Sequence, residues 1–260
     1  MFFIDVQGTL IDDHTKLPIA GAVAFIDRLN ATQTPYMVIT NSTKNPSHEF
    51  LAYLNSIGLA ISPSHYLDPL MVLENHIPLG TTIAAYGSNP FLAVVQSMGY
   101  VLDFVAPEVV LVAIREDFSG EEYAQMIGFL LGGASLMGMH ETSLYAKNHK
   151  RYPGVGAILA MLETATSVPY SVVGKPSVTF FETALEALAK QCAGVNFSDV
   201  TIISDDVTGD ILPAQALGMQ GIFVLSGKYR SREEILPQLR VQPDGVYADM
   251  EAVGEALWRH

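Results

Sequence analysis

The chain has 260 residues, of which 49% are hydrophobic and 16% are charged, and this balance excludes a disordered protein and supplies enough apolar residues for a sizeable core. Its net charge of −13 provides no basic surplus to replace the counterions on nucleic-acid phosphates, so we expect no nucleic-acid partner. The single cysteine, Cys192, excludes a disulfide framework within the chain and fits a reducing compartment.

The first quarter of the chain alternates between strand and helix patterns. Strands are predicted over 2–5 and 35–41, because both are short apolar runs that end in polar residues. Helices are predicted over 21–31 and 45–59, where apolar residues recur at helical spacing. Strands that alternate with helices indicate βαβ units and therefore a parallel sheet.

The last third of the chain repeats this order. Strands are predicted over 171–175, 200–206 and 221–227, and helices over 177–191 and 208–219. The two ends of the chain are therefore expected to form one α/β domain, with a doubly wound, Rossmann-like parallel sheet.

The middle of the chain starts a new α/β rhythm between turns that are rich in proline and glycine. The runs TIAAYGS, YVLDFVA and VVLVAIR are typical of further strands, and GVGAILAMLETA is typical of a helix. We therefore predict a core domain made of residues 1–76 and 170–260, with a second α/β domain, 77–169, inserted into it.

Polar residues follow four of the strands predicted for the core. The carboxyl ends of the strands in an open parallel sheet line the ligand crevice, so these residues are expected to converge. They are Asp5, Thr40 with Asn41, Lys175, and Asp205 with Asp206. One polar strand end is usually only the start of a loop, but four of them predict a site.

Two carboxylates, an ammonium and a hydroxyl in one crevice suit phosphoryl transfer. The carboxylates of Asp5 and Asp205 repel each other unless a cation lies between them, and Mg²⁺ prefers such oxygen ligands. Lys175 and Thr40 would hold an anionic group, aided by main-chain N–H groups of the turn at Gly8. Asp5 would then attack the phosphorus and form an aspartyl-phosphate.

The motifs around these residues resemble those of a known family. DxxGTL, TN, GKPS and DDxxxD occur in the order of the four motifs of the haloacid-dehalogenase (HAD) superfamily, and RYPGVGAI and VLSGKY resemble its NagD-like class IIA branch. The resemblance implies a Mg²⁺-dependent phosphatase with an HAD core and an inserted C2 cap. The candidate residues are catalytic Asp5, Gln7, Thr40 and Lys175, substrate-binding Gly8, Asn41, Ser42, Lys147, Asn148 and Lys150, and metal-binding Asp5, Gln7, Asp205, Asp206 and Asp210.

Gln7 departs from the family, whose phosphatases have an aspartate at this position. That aspartate protonates the leaving oxygen and later activates water, which contributes roughly 10²–10⁴-fold to the rate. A glutamine amide does neither, although its main-chain carbonyl still suits Mg²⁺. We therefore expect metal and phosphate binding to persist and ester turnover to be slow. Smaller departures are Ser204 in place of glycine before Asp205 and a basic cap loop at 147–151.

Three functions fit these residues. The favoured hypothesis is Mg²⁺-dependent hydrolysis of a small phosphorylated metabolite. The alternative is a phosphate-binding or regulatory protein of the same fold with weak or no catalysis, which Gln7 favours. A dehalogenase also lacks the second acid but needs no metal, so the acidic cluster between Asp205 and Asp210 argues against it.

The remaining predictions concern location and partners. The longest weakly polar stretch, 129–139, is far shorter than the ~20 residues of a membrane helix. No basic targeting segment is visible at the start of the sequence. We therefore expect a cytoplasmic protein with no membrane partner. Relatives with C2 caps often dimerise, so the resemblance also allows a homodimer.

Overall fold

The computed structural model describes residues 1–147 and 150–258, and for residues 146–147 and 150–151 it describes only the backbone. The strands are β1 (Phe2–Ile4), β2 (Tyr36–Ile39), β3 (Tyr66–Leu67), β4 (Thr82–Tyr86), β5 (Val101–Leu102), β6 (Val109–Val112), β7 (Ser135–Gly138), β8 (Leu144–Lys147), β9 (Lys150–Pro153), β10 (Tyr170–Val172), β11 (Thr201–Ser204), β12 (Gln220–Val224) and β13 (Gly245–Tyr247). The α-helices are α1 (Ala22–Ala31), α2 (Ser47–Ser56), α3 (Pro69–His76), α4 (Asn89–Ser97), α5 (Gly120–Leu131), α6 (Val155–Thr166), α7 (Val178–Ala189), α8 (Leu212–Ala216) and α9 (Met250–Trp258). Across these described ranges, no helix has the length and apolar character needed to cross a membrane.

The chain divides into two compact units. The first comprises Met1–Thr40, His48–Leu67 and Phe181–His260, and the second comprises Asn41–Ser47 and Asp68–Phe180. The predicted inserted domain, 77–169, falls within the second unit, and its limits remain a prediction.

A six-stranded parallel sheet, in the order β13-β12-β11-β1-β2-β3, forms the centre of the first unit. Phe3 of β1 pairs with Ile202 on β11 and with Met37 on β2. Neighbouring residues of a strand point to opposite faces, so Ile4 joins one core cluster while Phe3 stacks on Phe181 of α7, with ring centroids 6.5 Å apart. Both faces of the sheet are covered, and the predicted doubly wound α/β fold is confirmed.

The sequence of α1 shows how the helices that cover one face of the sheet are held against it. Ala22, Phe25, Ile26 and Leu29 recur at helical spacing, and none of them is more than 1% exposed. They pack in the same cluster as Ile4 of β1. Burial of each large apolar side chain contributes roughly 1.5–3 kcal/mol, which fixes α1 against the central strand.

The second unit contains a five-stranded parallel sheet in the order β10-β7-β6-β4-β5. Val110 of β6, Met126 of α5 and Leu159 of α6 belong to its core. The strands β8 and β9 form a separate antiparallel hairpin, on which the rings of Tyr145 and Tyr152 stack with centroids 5.4 Å apart. This unit therefore has an α/β core of its own, together with the hairpin that carries the basic loop.

Two predicted elements differ from the structure. The strand predicted over 171–175 for the core sheet is β10, and it pairs with β7 in the sheet of the second unit. A short apolar run predicts a strand but not its partner, which depends on long-range pairing. The helix predicted over 208–219 begins as a π-helical turn, Val207–Ile211, before α8. The other strands and helices predicted for the two ends of the chain are confirmed to within a few residues.

Candidate active site

Asp5 follows directly on the central strand β1. Its N–H donates to the carbonyl of Ile203 on β11 over 2.9 Å, so main-chain pairing continues past Ile4 and fixes the position of residue 5. Asp5 is 6% exposed. The carboxyl end of a central parallel strand is where α/β sheets place their ligand-binding groups. Asp5 therefore lies where a nucleophile was predicted, although its role stays a prediction.

The carboxylate of Asp205 lies between two glycines. A Cβ atom on Gly8 would lie 2.2 Å from Oδ2 of Asp205, and one on Gly227 would lie 1.8 Å from the same oxygen. Gly8 also has a φ of +77°, which other residues rarely adopt. The N–H of Lys228 donates to Oδ2 over 2.7 Å, and the N–H of Asp205 donates to Oγ1 of Thr9 over 3.1 Å. We call Gly8, Gly227 and the N–H of Lys228 the Asp205 cradle.

The charges around Asp205 are closely spaced. Burial raises the pKa of its carboxyl well above the usual range, and the negative charge of Asp5 raises it further. Burial lowers the pKa of the Lys228 ammonium, but the carboxylates of Asp206 and Asp205 outweigh burial, and its pKa is raised overall. Asp5 and Asp205 thus form a pair of buried carboxylates that repel each other, beside a lysine that holds its positive charge.

This pair of carboxylates suits a divalent cation. A cation in contact with both groups would relieve their repulsion and favour the charged form of Asp205. The donors are all oxygen atoms, which Mg²⁺ prefers. The carboxylates of Asp5 and Asp205 therefore fit a Mg²⁺ site, and a part for the main-chain carbonyl of Gln7 stays a prediction.

The side chain of Gln7 is held by Thr40. Thr40 is fully buried, its N–H donates to the carbonyl of Leu67 over 3.1 Å, and its Oγ1 donates to Oε1 of Gln7 over 2.8 Å. In the part of the chain that the structure describes, no residue accepts a hydrogen bond from Nε2 of Gln7. A carboxamide is a hydrogen-bonding group without an ionisable proton near neutral pH. The side chain at position 7 therefore supplies no general acid or base.

Asp206 and Asp210 have partners of their own. The ammonium of Lys228 pairs with Oδ2 of Asp206, and the N–H of Gly209 donates to its Oδ1 over 3.0 Å. The hydroxyl of Ser204 donates to Oδ2 of Asp210 over 2.7 Å. Within residues 1–147 and 150–258, no group of three or more histidine, cysteine, aspartate or glutamate side chains is arranged to hold a metal ion. A direct part of Asp206 or Asp210 in metal binding stays a prediction.

Asn41, Ser42 and Lys175 lie in the second unit. The prediction that Lys175 follows a strand of the core sheet is wrong, because the preceding strand, β10, is hydrogen-bonded to β7 of the five-stranded sheet. Lys175 is 2% exposed, and the peptide bond that joins it to Pro176 is cis. The side chain of Asn41 contacts the main chain of Lys175. The predicted binding of phosphate by Asn41, Ser42 and Lys175 stays a prediction.

The predicted basic substrate-binding residues lie on the hairpin of the second unit. Lys147 and Lys150 are opposite each other in the backbone pairing of β8 with β9. Asn148 lies outside the described residues. The binding of an anion by these three residues therefore stays a prediction.

Gly227 and Lys228 contribute to the site, and although both lie in the motif VLSGKY, neither was predicted to be a site residue. The strand β12 ends at Val224, and the polar segment after it supplies both residues. The same segment fixes the turn at Gly8, since the hydroxyl of Ser226 donates to the Gly8 carbonyl over 2.7 Å. Extending the search for polar residues at strand ends to this strand would have identified all three residues.

Sequence comparisons identify the family. A model described as haloacid dehalogenase-like hydrolase matches residues 2–101, and one described as HAD-hydrolase-like matches residues 172–253. The haloacid dehalogenase-like hydrolase domain-containing protein 2 of Bos taurus is 31% identical over 237 residues, which cover 89% of this chain and 86% of that protein. The phospholysine phosphohistidine inorganic pyrophosphate phosphatase of Homo sapiens is 28% identical over 266 residues, which cover 99% of this chain and 93% of that protein.

Solved structures share the fold. A p-nitrophenyl phosphatase from Archaeoglobus fulgidus matches with a TM-score of 0.83 and 20% identity over 98% of each chain. NagD from E. coli K-12 matches with a TM-score of 0.75 and 21% identity over 96% of each chain. The chain therefore has the same fold as these two proteins. The chain belongs to the haloacid dehalogenase-like hydrolase family, so the predicted family and the predicted enzyme class, a hydrolase, are confirmed.

Proposed function

We propose that the protein is a Mg²⁺-dependent phosphatase of a small phosphorylated metabolite and that Asp5 forms an aspartyl-phosphate during the reaction. The main observation behind the proposal is the pair of buried carboxylates of Asp5 and Asp205, of which the second is held in the Asp205 cradle. Such a pair is costly in a protein interior unless it binds a cation. The relatives named as phosphatases support the same activity.

The reaction would begin at the carboxylate of Asp5. One oxygen of Asp5 attacks the phosphorus, the bond to the leaving oxygen breaks, and the electron pair departs with that oxygen. Bound Mg²⁺ would neutralise negative charge on the phosphoryl group and on the two carboxylates. Water then attacks the phosphorus of the aspartyl-phosphate and gives up a proton to solvent. The bond from phosphorus to the Asp5 oxygen breaks, its electron pair returns to the carboxylate, and inorganic phosphate is released.

Gln7 would slow both steps. The leaving oxygen needs a proton unless it is stable as an anion, and the attacking water must lose a proton in the second step. The carboxamide of Gln7 supplies neither transfer. We therefore expect aryl phosphates, which have stable leaving groups, to react faster than alkyl phosphates. With such substrates only the second step lacks assistance, so the aspartyl-phosphate should accumulate.

Further parts of the proposal rest on the family resemblance. Thr40 and Lys175 would hold the phosphoryl group, whereas the N–H of Gly8, which was predicted to take part, already donates to the carbonyl of Ile11 over 2.8 Å. Residues 1–76 and 170–260, apart from the strand β10, would form the HAD core, and residues 77–169 would form a C2 cap that sets substrate specificity. A cytoplasmic location and a homodimer are also proposals at this stage.

A second candidate function is that of a phosphate-ligand binding or regulatory protein. The hydrogen bond between Thr40 and Gln7 favours it, because a neutral amide is built into the position of the usual acid. A metal-free dehalogenase has less support, since the repelling pair of Asp5 and Asp205 calls for a cation.

The test is release of inorganic phosphate from a panel of phosphate esters that includes p-nitrophenyl phosphate, measured with Mg²⁺ and with EDTA. The variant Asp5→Asn is the matched control, because it keeps the shape of the side chain and removes the nucleophile. We expect activity on p-nitrophenyl phosphate that is lost with EDTA and in Asp5→Asn. Phosphate binding without turnover on any ester would favour the regulatory protein. Activity on a 2-haloacid that survives EDTA would favour the dehalogenase.

A further inference from the structure

The side chain of Asn41 forms two hydrogen bonds with the main chain of Lys175. The N–H of Lys175 donates to Oδ1 of Asn41 over 2.9 Å, and Nδ2 of Asn41 donates to the carbonyl of Lys175 over 3.2 Å. The same carbonyl accepts from the N–H of Glu141 over 3.2 Å. Both main-chain groups of Lys175 are thus bonded, and we call the two bonds from Asn41 the Asn41 clamp.

The residue before Lys175 leaves no space around the clamp. A Cβ atom on Gly174 would lie 2.6 Å from Oδ1 of Asn41, 2.6 Å from Cγ of Pro69 and 2.8 Å from the carbonyl oxygen of Met139. The N–H of Gly174 donates to that carbonyl over 2.9 Å. The main chain at residues 174–175 is therefore held from the side of Asn41 and from the end of β7.

A buried lysine needs such a fixed main chain more than most residues do. Lys175 is 2% exposed, so its ammonium has little freedom to find solvent if its backbone moves. Because the side chain is buried, its otherwise flexible stem has little room to compensate for a shift of the main chain, so the shift is carried to the ammonium. In catalytic sites a misplacement of about 1 Å can cost about 10²-fold in rate.

We propose that Asn41 is a positioning residue for Lys175, and that its effect on the reaction passes through Lys175. This inference rests on the proposed function, in which Lys175 stabilises the charge of the phosphoryl group. It gives the side chain of Asn41 a role that is separate from any contact of its main chain with substrate.

The chain offers a matched control for the clamp. Asn55 forms the same two bonds with the main chain of Ile61, since the Ile61 N–H donates to Oδ1 over 2.8 Å and Nδ2 donates to the Ile61 carbonyl over 3.0 Å. Neither residue has a predicted part in the site. Asn55→Ala therefore removes the same two hydrogen bonds at a position away from the site, and it measures the effect on activity of losing such bonds in general.

The experiment is a double-mutant cycle with wild type, Asn41→Ala, Lys175→Met and the double variant. Two quantities are measured, kcat/KM for p-nitrophenyl phosphate with Mg²⁺ and the Kd of inorganic phosphate with Mg²⁺. We expect Asn41→Ala to lower kcat/KM by about 10-fold to 100-fold in the wild-type background and to cause little further loss beside Lys175→Met. Asn55→Ala should leave both quantities unchanged.

Asn41→Asp is a second variant for the case in which Asn41→Ala does not fold. It keeps the acceptor for the N–H of Lys175 and should lose less activity than Asn41→Ala. Equal losses from Asn41→Ala in both backgrounds would overturn the inference, as would no loss at all in the wild-type background. If the wild type binds phosphate but has no turnover, the proposed function fails and the cycle on Kd still decides the role of Asn41. If the wild type neither binds phosphate nor turns over substrate, both proposals fail.

Discussion

Replacing Gln7 by aspartate should raise turnover, and replacing it by asparagine should not. Aspartate and asparagine have the same shape and are each one methylene shorter than glutamine. Both variants therefore change the contact with Thr40 in the same way, and only Gln7→Asp adds an ionisable carboxyl. The difference between the two variants isolates proton transfer from any change of packing at position 7.

The size of the gain follows from two opposing terms. A general acid–base group contributes roughly 10²–10⁴-fold, which corresponds to about 2.7–5.4 kcal/mol. The shorter side chain loses the 2.8 Å hydrogen bond from Oγ1 of Thr40 to Oε1 of Gln7, a neutral bond worth about 0.5–1.5 kcal/mol. Even if that whole amount is lost from the transition state, Gln7→Asp should gain between about 10-fold and 10³-fold in kcat.

The assay compares kcat on an alkyl phosphate with kcat on p-nitrophenyl phosphate for the wild type and both variants. The gain in Gln7→Asp should be larger for the alkyl phosphate, because its leaving oxygen needs a proton more than a phenolate does. The Kd of inorganic phosphate should change little. An equal gain in Gln7→Asn would refute the reasoning, and so would the absence of any gain in a Gln7→Asp variant that still binds phosphate.

Two further predictions test the metal site and the stability of the second unit. Gly227→Ala puts a Cβ atom 1.8 Å from Oδ2 of Asp205, so calorimetric titration should show about 10–100-fold weaker Mg²⁺ binding. The control is Gly128→Ala, whose added Cβ atom has open space around it, and this variant should bind Mg²⁺ as the wild type does. The hydrogen bond with Arg115 lowers the pKa of Glu122 to about 2, so its stabilising effect is present above pH 4.5 and is lost as the pH falls towards 2. The side chain of Glu122 is 29% exposed, so Glu122→Gln should lower the free energy of unfolding in urea by about 1 kcal/mol or less at pH 7. The loss should become smaller towards pH 2, and a loss independent of pH would contradict this prediction.

The fold was largely predictable because the chain alternates short apolar runs with amphipathic helices. The strands β1, β2, β11 and β12 end in or near polar residues, and the structure places them side by side in one sheet. The partner of β10 was not predictable in this way. Its run of three residues is apolar enough for a strand, but the choice between the two sheets depends on packing far from it in sequence.

The positions of Asp5 and Asp205 after strands of one sheet were predictable from the sequence, but the contacts around them were not. Asp5 and Asp205 were assigned from their positions after strands, and the structure brings their charges together. The bond between Gln7 and Thr40 joins residues 33 positions apart, and no spacing rule in the sequence signals it. The two bonds from Asn41 to Lys175 span 134 positions and were likewise not predicted. The sequence thus indicated candidate groups, while the contacts between them depend on the fold.

The most direct measurement of the central claim is detection of a phosphoryl group on Asp5. Protein mixed with p-nitrophenyl phosphate and Mg²⁺ is quenched in acid within one turnover and analysed by intact mass and peptide mapping. We expect one added phosphoryl group on the peptide that contains Asp5. It should be lost on treatment with hydroxylamine, absent in Asp5→Asn and shorter-lived in Gln7→Asp. Release of phosphate without a phosphorylated Asp5 at any time, or a phosphoryl group on another residue, would contradict it.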